Sequence, residues 1–241
     1  MGAGVFCFTD RKHMLKAAIF DIDGTLVDSV DLHAEAWVRA FHRFRYQHVT
    51  FAEVRSQIGK GGDQLMPVFI PQQDLERIGD ALEQWRSELF RREYMPHVKP
   101  FPMVRELFEH LKNDGWQIAL ASSSNKQDLE QYKKIANIGD LLEASTSADD
   151  AERSKPHPDI FAAALDHLGG LKPTEVVVVG DTPYDAEAAR KLGVREIIGV
   201  LCGGFREDDL RKSGCTAIYP EPADILEHYA ESAFGRARKA A

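Results

Sequence analysis

Long apolar runs are missing from this chain of 241 residues. No stretch approaches the ~18 residues that a membrane-spanning helix needs. The opening residues also lack the charged start and extended apolar region of an export signal. Cysteine is scarce: Cys7, Cys202 and Cys215 are odd in number and have no metal-ligand spacing. That excludes a disulfide framework and leads us to expect reduced thiols in a cytoplasmic protein. Excess positive charge is absent too. The 30 Lys and Arg against 38 Asp and Glu leave a net charge of −8, unlike a general nucleic-acid or membrane-surface binder. A local basic pocket for a small anionic metabolite stays compatible with that balance. With 44% hydrophobic residues and neither repeat nor low-complexity segment, the chain can build one large core, or a core domain with a smaller companion. Residues 1–13 give nothing to assign, and Met14 could be an alternative start, since Met14-Leu15-Lys16 leads directly into the first apolar run.

What is present centres on Ala17-Ala18-Ile19-Phe20-Asp21-Ile22-Asp23-Gly24-Thr25. A short apolar run of this kind suits a buried strand of a parallel sheet. It ends on two acids one residue apart, and in extended chain such residues point the same way. Asp21 and Asp23 would then share a site, with Gly24 turning the backbone away and Thr25 adding a hydroxyl. Carboxylates crowded at a strand's C-terminal edge repel, and a divalent cation relieves that repulsion. An acidic turn after a core strand would read the same way in isolation.

From Asp28 to about Arg45 the apolar residues recur at helical spacing, and shorter amphipathic pieces follow at Phe51 to Ile58 and Gln64 to Ile70. The polar loop Gly59 to Asp63 lies between those two, with Asp63 as the expected N-cap. Asp74 to Glu93 reads as a longer helix, and no strand pattern occurs from Asp28 to His97. Residues 28–98 therefore form a helical insert, left through the proline-rich stretch Pro96 to Pro102. Strands and helices alternate beyond it. Strands are expected at Gln117 to Ala121, Val176 to Val179, Ile197 to Val200 and Ala217 to Tyr219, with a short segment of unassigned type around Leu141 to Ser145. Helices are expected at Met103 to Asn113, Gln127 to Ala136, Pro158 to Leu168 and Tyr184 to Leu192. Such alternation predicts an α/β fold, a parallel Rossmann-like sheet covered on both faces. Its core spans residues 14–27 and 99–234. Residues 235–241, small and basic, read as a frayed end.

Three more stretches carry chemistry. Ser122-Ser123-Ser124-Asn125 follows a strand and precedes a helix, so its N–H groups and hydroxyls can hold phosphate or simply cap the helix. Lys155 is held between a polar loop and two prolines that could aim its ammonium; most lysines are only solvated. Val176 to Val179 runs into Gly180-Asp181, and Asp181 would complete the cation site begun by Asp21. Asp185, on the next helix, could bind the cation through water, orient its ligands or merely favour the helix dipole.

The four stretches, in this order, resemble the motifs of the haloacid dehalogenase superfamily. D-x-D-G-T occurs at Asp21 to Thr25, the phosphate-binding Ser at Ser122, K-P-x-P-D-I-F at Lys155 to Phe161, and G-D-x-x-x-D at Gly180 to Asp185. The resemblance implies a Rossmann-like core with an inserted helical cap. It further implies an Mg²⁺-dependent phosphatase acting on a small phosphorylated metabolite through an aspartyl-phosphate. Asp21 would be the nucleophile and Asp23 the acid/base. Asp21, the Asp23 backbone carbonyl and Asp181 would hold Mg²⁺, while Ser122, Ser123 and Lys155 would hold phosphate oxygens. His33 and Trp37 resemble the beta-phosphoglucomutase-like branch, whose His steadies the acid/base; a core or hinge histidine is the alternative. Lys60, the only lysine of the insert, is a substrate-contact candidate.

Within that superfamily Asp23 speaks against a dehalogenase, and the surroundings of Lys60 against a phosphonatase. A beta-phosphoglucomutase is the runner-up. The insert has no clear counterpart of the mutases' gripping arginine, and Gly180-Asp181 stands where they have Glu-Asp. A phospho-accepting receiver domain would explain neither the D-x-D-G-T spacing nor the helical insert; a pseudoenzyme serving as an interaction module stays open, although every chemical position is intact.

Overall fold

The structure is a computed structural model and describes residues 15–239. Cys7, Met14 and the unassigned segment 1–13 lie outside the described residues. In chain order the strands are β1 (Ala17–Phe20), β2 (Val27–Asp28), β3 (Lys99–Pro100), β4 (Gln117–Ala121), β5 (Ala144–Thr146), β6 (Val176–Gly180), β7 (Glu196–Val200) and β8 (Ala217–Tyr219). The insert contains helices α1 (Val30–Arg43), α2 (Phe51–Arg55), α3 (Gly62–Phe69) and α4 (Gln72–Leu89). After it come α5 (Val104–Asn113), α6 (Lys126–Ile135), α7 (Asp159–His167), α8 (Pro183–Leu192), α9 (Glu207–Ser213), α10 (Pro222–Glu227) and α11 (Ala233–Lys239).

Six strands form a parallel sheet in the order β5-β4-β1-β6-β7-β8. Alternate residues of the central strands face opposite sides, as a period of two dictates. Ala18, Phe20, Leu120, Val177 and Val179 pack beneath α5 and the C-terminal helices. Ala17, Ile19, Ala119, Ala121, Val176 and Val178 pack beneath α7 and α8. Burial on both faces explains why these strands read as continuous apolar runs. Phe20 is in register with Leu120 on one side and Val179 on the other, so β1, β4 and β6 end level. The strand order reverses here, and such a switch point opens a crevice outside the carboxyl ends of the strands.

The insert has its own apolar cluster, including Val30, Trp37, Phe41, Leu65 and Leu82. Where the chain leaves and re-enters the core, Val27 and Asp28 pair antiparallel with Pro100 and Lys99. Two-residue strands leave no periodicity to read, and this ribbon was not expected. Nor did Asp63 turn out to cap α3. Gly61, extended at φ −74° and ψ 167°, precedes the helix and places Asp63 in its first turn. Helix α4 starts two residues earlier than expected and passes at Phe90 into a wider π-turn through Tyr94. Among the described residues no helix is long and apolar enough to cross a membrane, and Cys202 and Cys215 are free thiols.

The expected frayed end is a helix instead. Ser232 accepts a hydrogen bond from the N–H of Gly235 at 3.4 Å, and Phe234 is fully buried against Phe20, Trp116 and Tyr229. The basic residues fall in the last turn, where cations suit the helix dipole. Replacing Phe234 by Ala should cost about 3–5 kcal/mol, because it empties a filled core position. A urea midpoint that stayed within error of wild type would show α11 to be dispensable.

Candidate active site

Asp21 follows β1 directly, and its N–H donates to Val179 O at 2.9 Å, which fixes it level with the end of β6. Asp181 follows β6, and Asp185 lies in the first turn of α8. All three are buried, and one carboxylate oxygen of each lies within 4.8 Å of the others. Thr25, brought round by the turn at Gly24, points its hydroxyl at Asp21 (3.3 Å) and Asp181 (3.0 Å).

Lys155 enters this cluster from the loop before α7 and is 0% exposed. Its ammonium donates to Asp21 and to Ala121 O at 3.0 Å, and forms an ion pair with Asp185 at 2.8 Å. Burial alone would depress the Lys155 pKa, but Asp185 and Asp21 outweigh it and hold the pKa above its ordinary value. Asp185 is also held by α8: its carboxylate accepts from the Thr182 N–H (3.1 Å) and hydroxyl (2.6 Å) in a capping box. Its dipole role and its role at the site thus coincide.

The donor set fits a hard divalent cation. Asp181 Oδ2 is buried without any hydrogen-bond partner. A side chain on Gly24, where φ is +82°, would put Cβ 2.3 Å from that oxygen, and one on Gly203 would put Cβ 1.7 Å from it. The backbone is therefore cut away around a carboxylate oxygen that lacks a partner, and Asp21, Asp181 and Asp185 supply the oxygen ligands such an ion prefers. Without the ion, burial and the neighbouring acids push the Asp21 carboxyl up to about 7, despite Lys155.

Asp23 is placed differently. Its carboxylate turns away from the acid cluster and accepts from Ser29 (2.6 Å), Ser124 (3.0 Å) and His33 Nε2 (2.9 Å). Burial would raise its pKa, but His33 and the two hydroxyls hold it well below the usual carboxylate range. His33 is itself buried, stacked on Phe90 at 3.9 Å. Arg86 donates to its Nδ1, and a guanidinium can only donate, so the proton of neutral His33 stays on Nε2. Tyr132 O–H lies 2.8 Å from that nitrogen. Burial, joined by the Arg86 charge, lowers the His33 pKa.

A cavity of about 320 Å³ opens over Asp21 and Asp23 and reaches α4 of the insert. Ser123 and Ser124 line it, whereas Ser122 is buried beneath them and accepts from the Ser124 N–H at 3.0 Å. Of the expected serines, then, Ser123 reaches the cavity and Ser122 braces the loop. Lys60 also lines the cavity, donating to Gln57 Oε1 and lying 4.7 Å over the Tyr184 ring. Burial lowers its pKa. The insert is fastened over the site by bonds from Ser123 to Gly59 O (3.3 Å), Ser154 N–H to Asp63 (3.1 Å) and Tyr184 to Ser56 O (2.7 Å). The sequence reading missed Ser124, Arg86, Glu83 and Tyr132. Only the Ser triplet offered a signal, since the others reach the site from within helices α4 and α6 with no motif of their own.

A family model described as haloacid dehalogenase-like hydrolase matches residues 18–199. A phosphorylated carbohydrates phosphatase of Thermotoga maritima is 26% identical over 215 residues, which is 88% of this chain and 97% of that protein. A phosphoglycolate phosphatase of Cereibacter sphaeroides is 29% identical over 228 residues, covering 89% and 99%. A solved hydrolase structure from Pseudomonas syringae superposes with a TM-score of 0.80 at 26% identity, over 90% of this chain and 98% of that one.

Proposed function

The chain belongs to the haloacid dehalogenase-like hydrolases, and from that premise we propose that it is an Mg²⁺-dependent phosphatase of small phosphorylated metabolites. One observation carries the reading: Asp21 and Asp23, two residues apart, occupy opposite electrostatic settings. Burial among acids raises one, while donors from His33, Ser29 and Ser124 lower the other. Two carboxyls pushed apart in this way can divide nucleophile from acid/base. Relatives named as phosphatases support the same reading.

In this mechanism Asp21, Asp181 and the backbone carbonyl of Asp23 would hold Mg²⁺, with Asp185 beside them. The bound ion would supply charge neutralisation and lower the Asp21 pKa to make a carboxylate nucleophile. Asp21 then attacks phosphorus in line and becomes an aspartyl-phosphate. Lys155 and Ser123, on the loop that Ser122 braces, hold the phosphoryl oxygens. Asp23 is a carboxylate at rest. A phosphate dianion arriving beside it raises its pKa, so that it holds the proton that the leaving alcohol needs. As a carboxylate again, it accepts the proton of the water that cleaves the acyl-phosphate. His33 keeps Asp23 in position. Residues 28–98 act as a cap over the core of 14–27 and 99–234, swinging about the β2–β3 ribbon to exclude water and select the leaving group.

Chelator-treated protein should release no phosphate from a generic aryl phosphate, and Mg²⁺ should restore release. Ca²⁺ should restore little, because its larger, looser shell misplaces the nucleophile. Product and substrate should balance one for one without a bisphosphate activator. Full activity in metal-free protein would remove the cation from the account. Conversion of glucose 1-phosphate to glucose 6-phosphate with little free phosphate would replace the phosphatase by a mutase.

A further inference from the structure

The imidazole of His33 is fixed from several directions. Arg86 donates to its Nδ1, Phe90 stacks on its face at 3.9 Å, and two oxygens compete for its Nε2. Those oxygens are nearly equidistant, Asp23 Oδ1 at 2.9 Å and the Tyr132 hydroxyl at 2.8 Å. Arg86 brings a hydrogen to Nδ1, so the single hydrogen of neutral His33 sits on Nε2, and Asp23 and Tyr132 share it as acceptors. Tyr132 keeps its own hydrogen, since burial and the charges of Asp23 and Asp128 raise its pKa well above the ordinary value. It is 1% exposed, belongs to α6 of the core and does not line the cavity. Tyr132 therefore meets the acid/base only through His33.

We propose that Tyr132 is a positioning residue for the acid step: it takes over the His33 N–H when Asp23 offers a proton to the leaving oxygen. The proposal rests on the phosphatase reading above and adds to it a residue that does not touch substrate. As a carboxylate, Asp23 accepts from Ser29, Ser124 and His33. As a carboxylic acid it donates one hydrogen and has less capacity to accept. The two serine hydroxyls can rotate their hydrogens elsewhere. The His33 N–H cannot, because Arg86 and Phe90 fix the ring. A buried N–H without an acceptor is costly, and here the cost would fall on the acid form of Asp23 alone. The Tyr132 oxygen, already within reach, removes that penalty without any movement of the ring. His33 rides on the insert and Tyr132 on the core, so this acceptor is available only while the insert lies over the site.

The test compares phenyl phosphate with 4-nitrophenyl phosphate, read as kcat/KM of the full chain with Mg²⁺, in wild type and Tyr132→Phe. Nitrophenolate departs as a stable anion and needs little from an acid, whereas phenolate needs the proton. Phenylalanine keeps the buried ring, and the ratio of the two substrates is taken within each protein, so any loss of folded protein cancels. The phenyl to 4-nitrophenyl ratio should fall about tenfold in Tyr132→Phe. ¹⁵N NMR of His33, identified by the signal lost in His33→Gln, should place the proton on Nε2 in wild type. That signal should shift in Tyr132→Phe, where the same N–H has a single acceptor. Equal ratios in the two proteins would overturn the proposal, even if both rates fell together, and leave Tyr132 a packing residue. A proton on Nδ1 in wild type would overturn it as well, since Tyr132 would then donate to the ring instead of accepting. If wild type released no phosphate from either ester, the phosphatase reading would fall and this inference with it.

Discussion

Asp21→Asn should lower phosphate release by four orders of magnitude or more, while making the metal-free protein more stable at pH 8. The first effect follows from chemistry: an amide oxygen is a far poorer nucleophile, and losing a nucleophile removes most of the rate enhancement. The second follows from crowding. In the metal-free fold burial pushes the Asp21 carboxyl up from its ordinary 3.8 to about 7. Between those values the folded chain keeps a proton that the unfolded chain has released. Any stabilisation by protonated Asp21 is therefore complete below 3.8 and is lost as pH rises through about 7. Wild type should weaken over that window, and Asp21→Asn should lose that part of the slope, a difference on the order of a few kcal/mol. Urea unfolding in chelator at pH 5 and pH 8 measures it. A variant as active as wild type, or no more stable than it at pH 8, would contradict the placement of Asp21.

Lys155→Met should be the most damaging single change for the fold and the chemistry together. Methionine keeps much of the stem volume but removes the cation that stands between Asp21 and Asp185. Breaking a buried pair by deleting one partner costs about 3–5 kcal/mol, because the remaining charge has no solvent to turn to. Without Lys155 to lower it, the Asp21 carboxyl takes up a proton more readily, so the loss should be greatest at alkaline pH and partly recovered as pH falls. Turnover should drop on the order of 10³-fold with the loss of a preorganised donor to the transferred group. Unfolding at pH 5 and 8, together with single-turnover phosphate release, tests both parts. A variant of wild-type stability at pH 8 would mean that Lys155 is not the counter-ion of the cluster.

What could be read without coordinates was whatever local chemistry dictates. The apolar runs of β1, β4 and β6 each end on polar residues, and Gln117–Ala121 and Ala217–Tyr219 fall where the expected strands fell. Acids after β1 and β6, a Ser triplet after β4 and a proline-flanked lysine can be gathered at one edge because parallel strands end level there. The ribbon joining Val27–Asp28 to Lys99–Pro100 was invisible, since pairing across the insert of residues 28–98 leaves no trace in two residues. Arg86, Glu83 and Tyr132 were missed for a related reason. Each is an ordinary residue of an amphipathic helix, and only packing brings Arg86 onto His33 or Tyr132 within reach of the same ring. The C-terminal helix was misread because its basic composition resembles a solvated tail, whereas one buried aromatic, Phe234, secures it.

The central claim is that Asp21 itself carries the phosphoryl group between substrate and water. Rapid acid quenching during turnover with Mg²⁺, followed by mass analysis of the proteolysed chain, tests it most directly. The account predicts a base-labile addition of one phosphoryl group on the peptide containing Asp21, appearing before steady-state phosphate release and absent from Asp21→Asn. A burst of product with that peptide unmodified, or a phosphoryl group on any other residue, would contradict it.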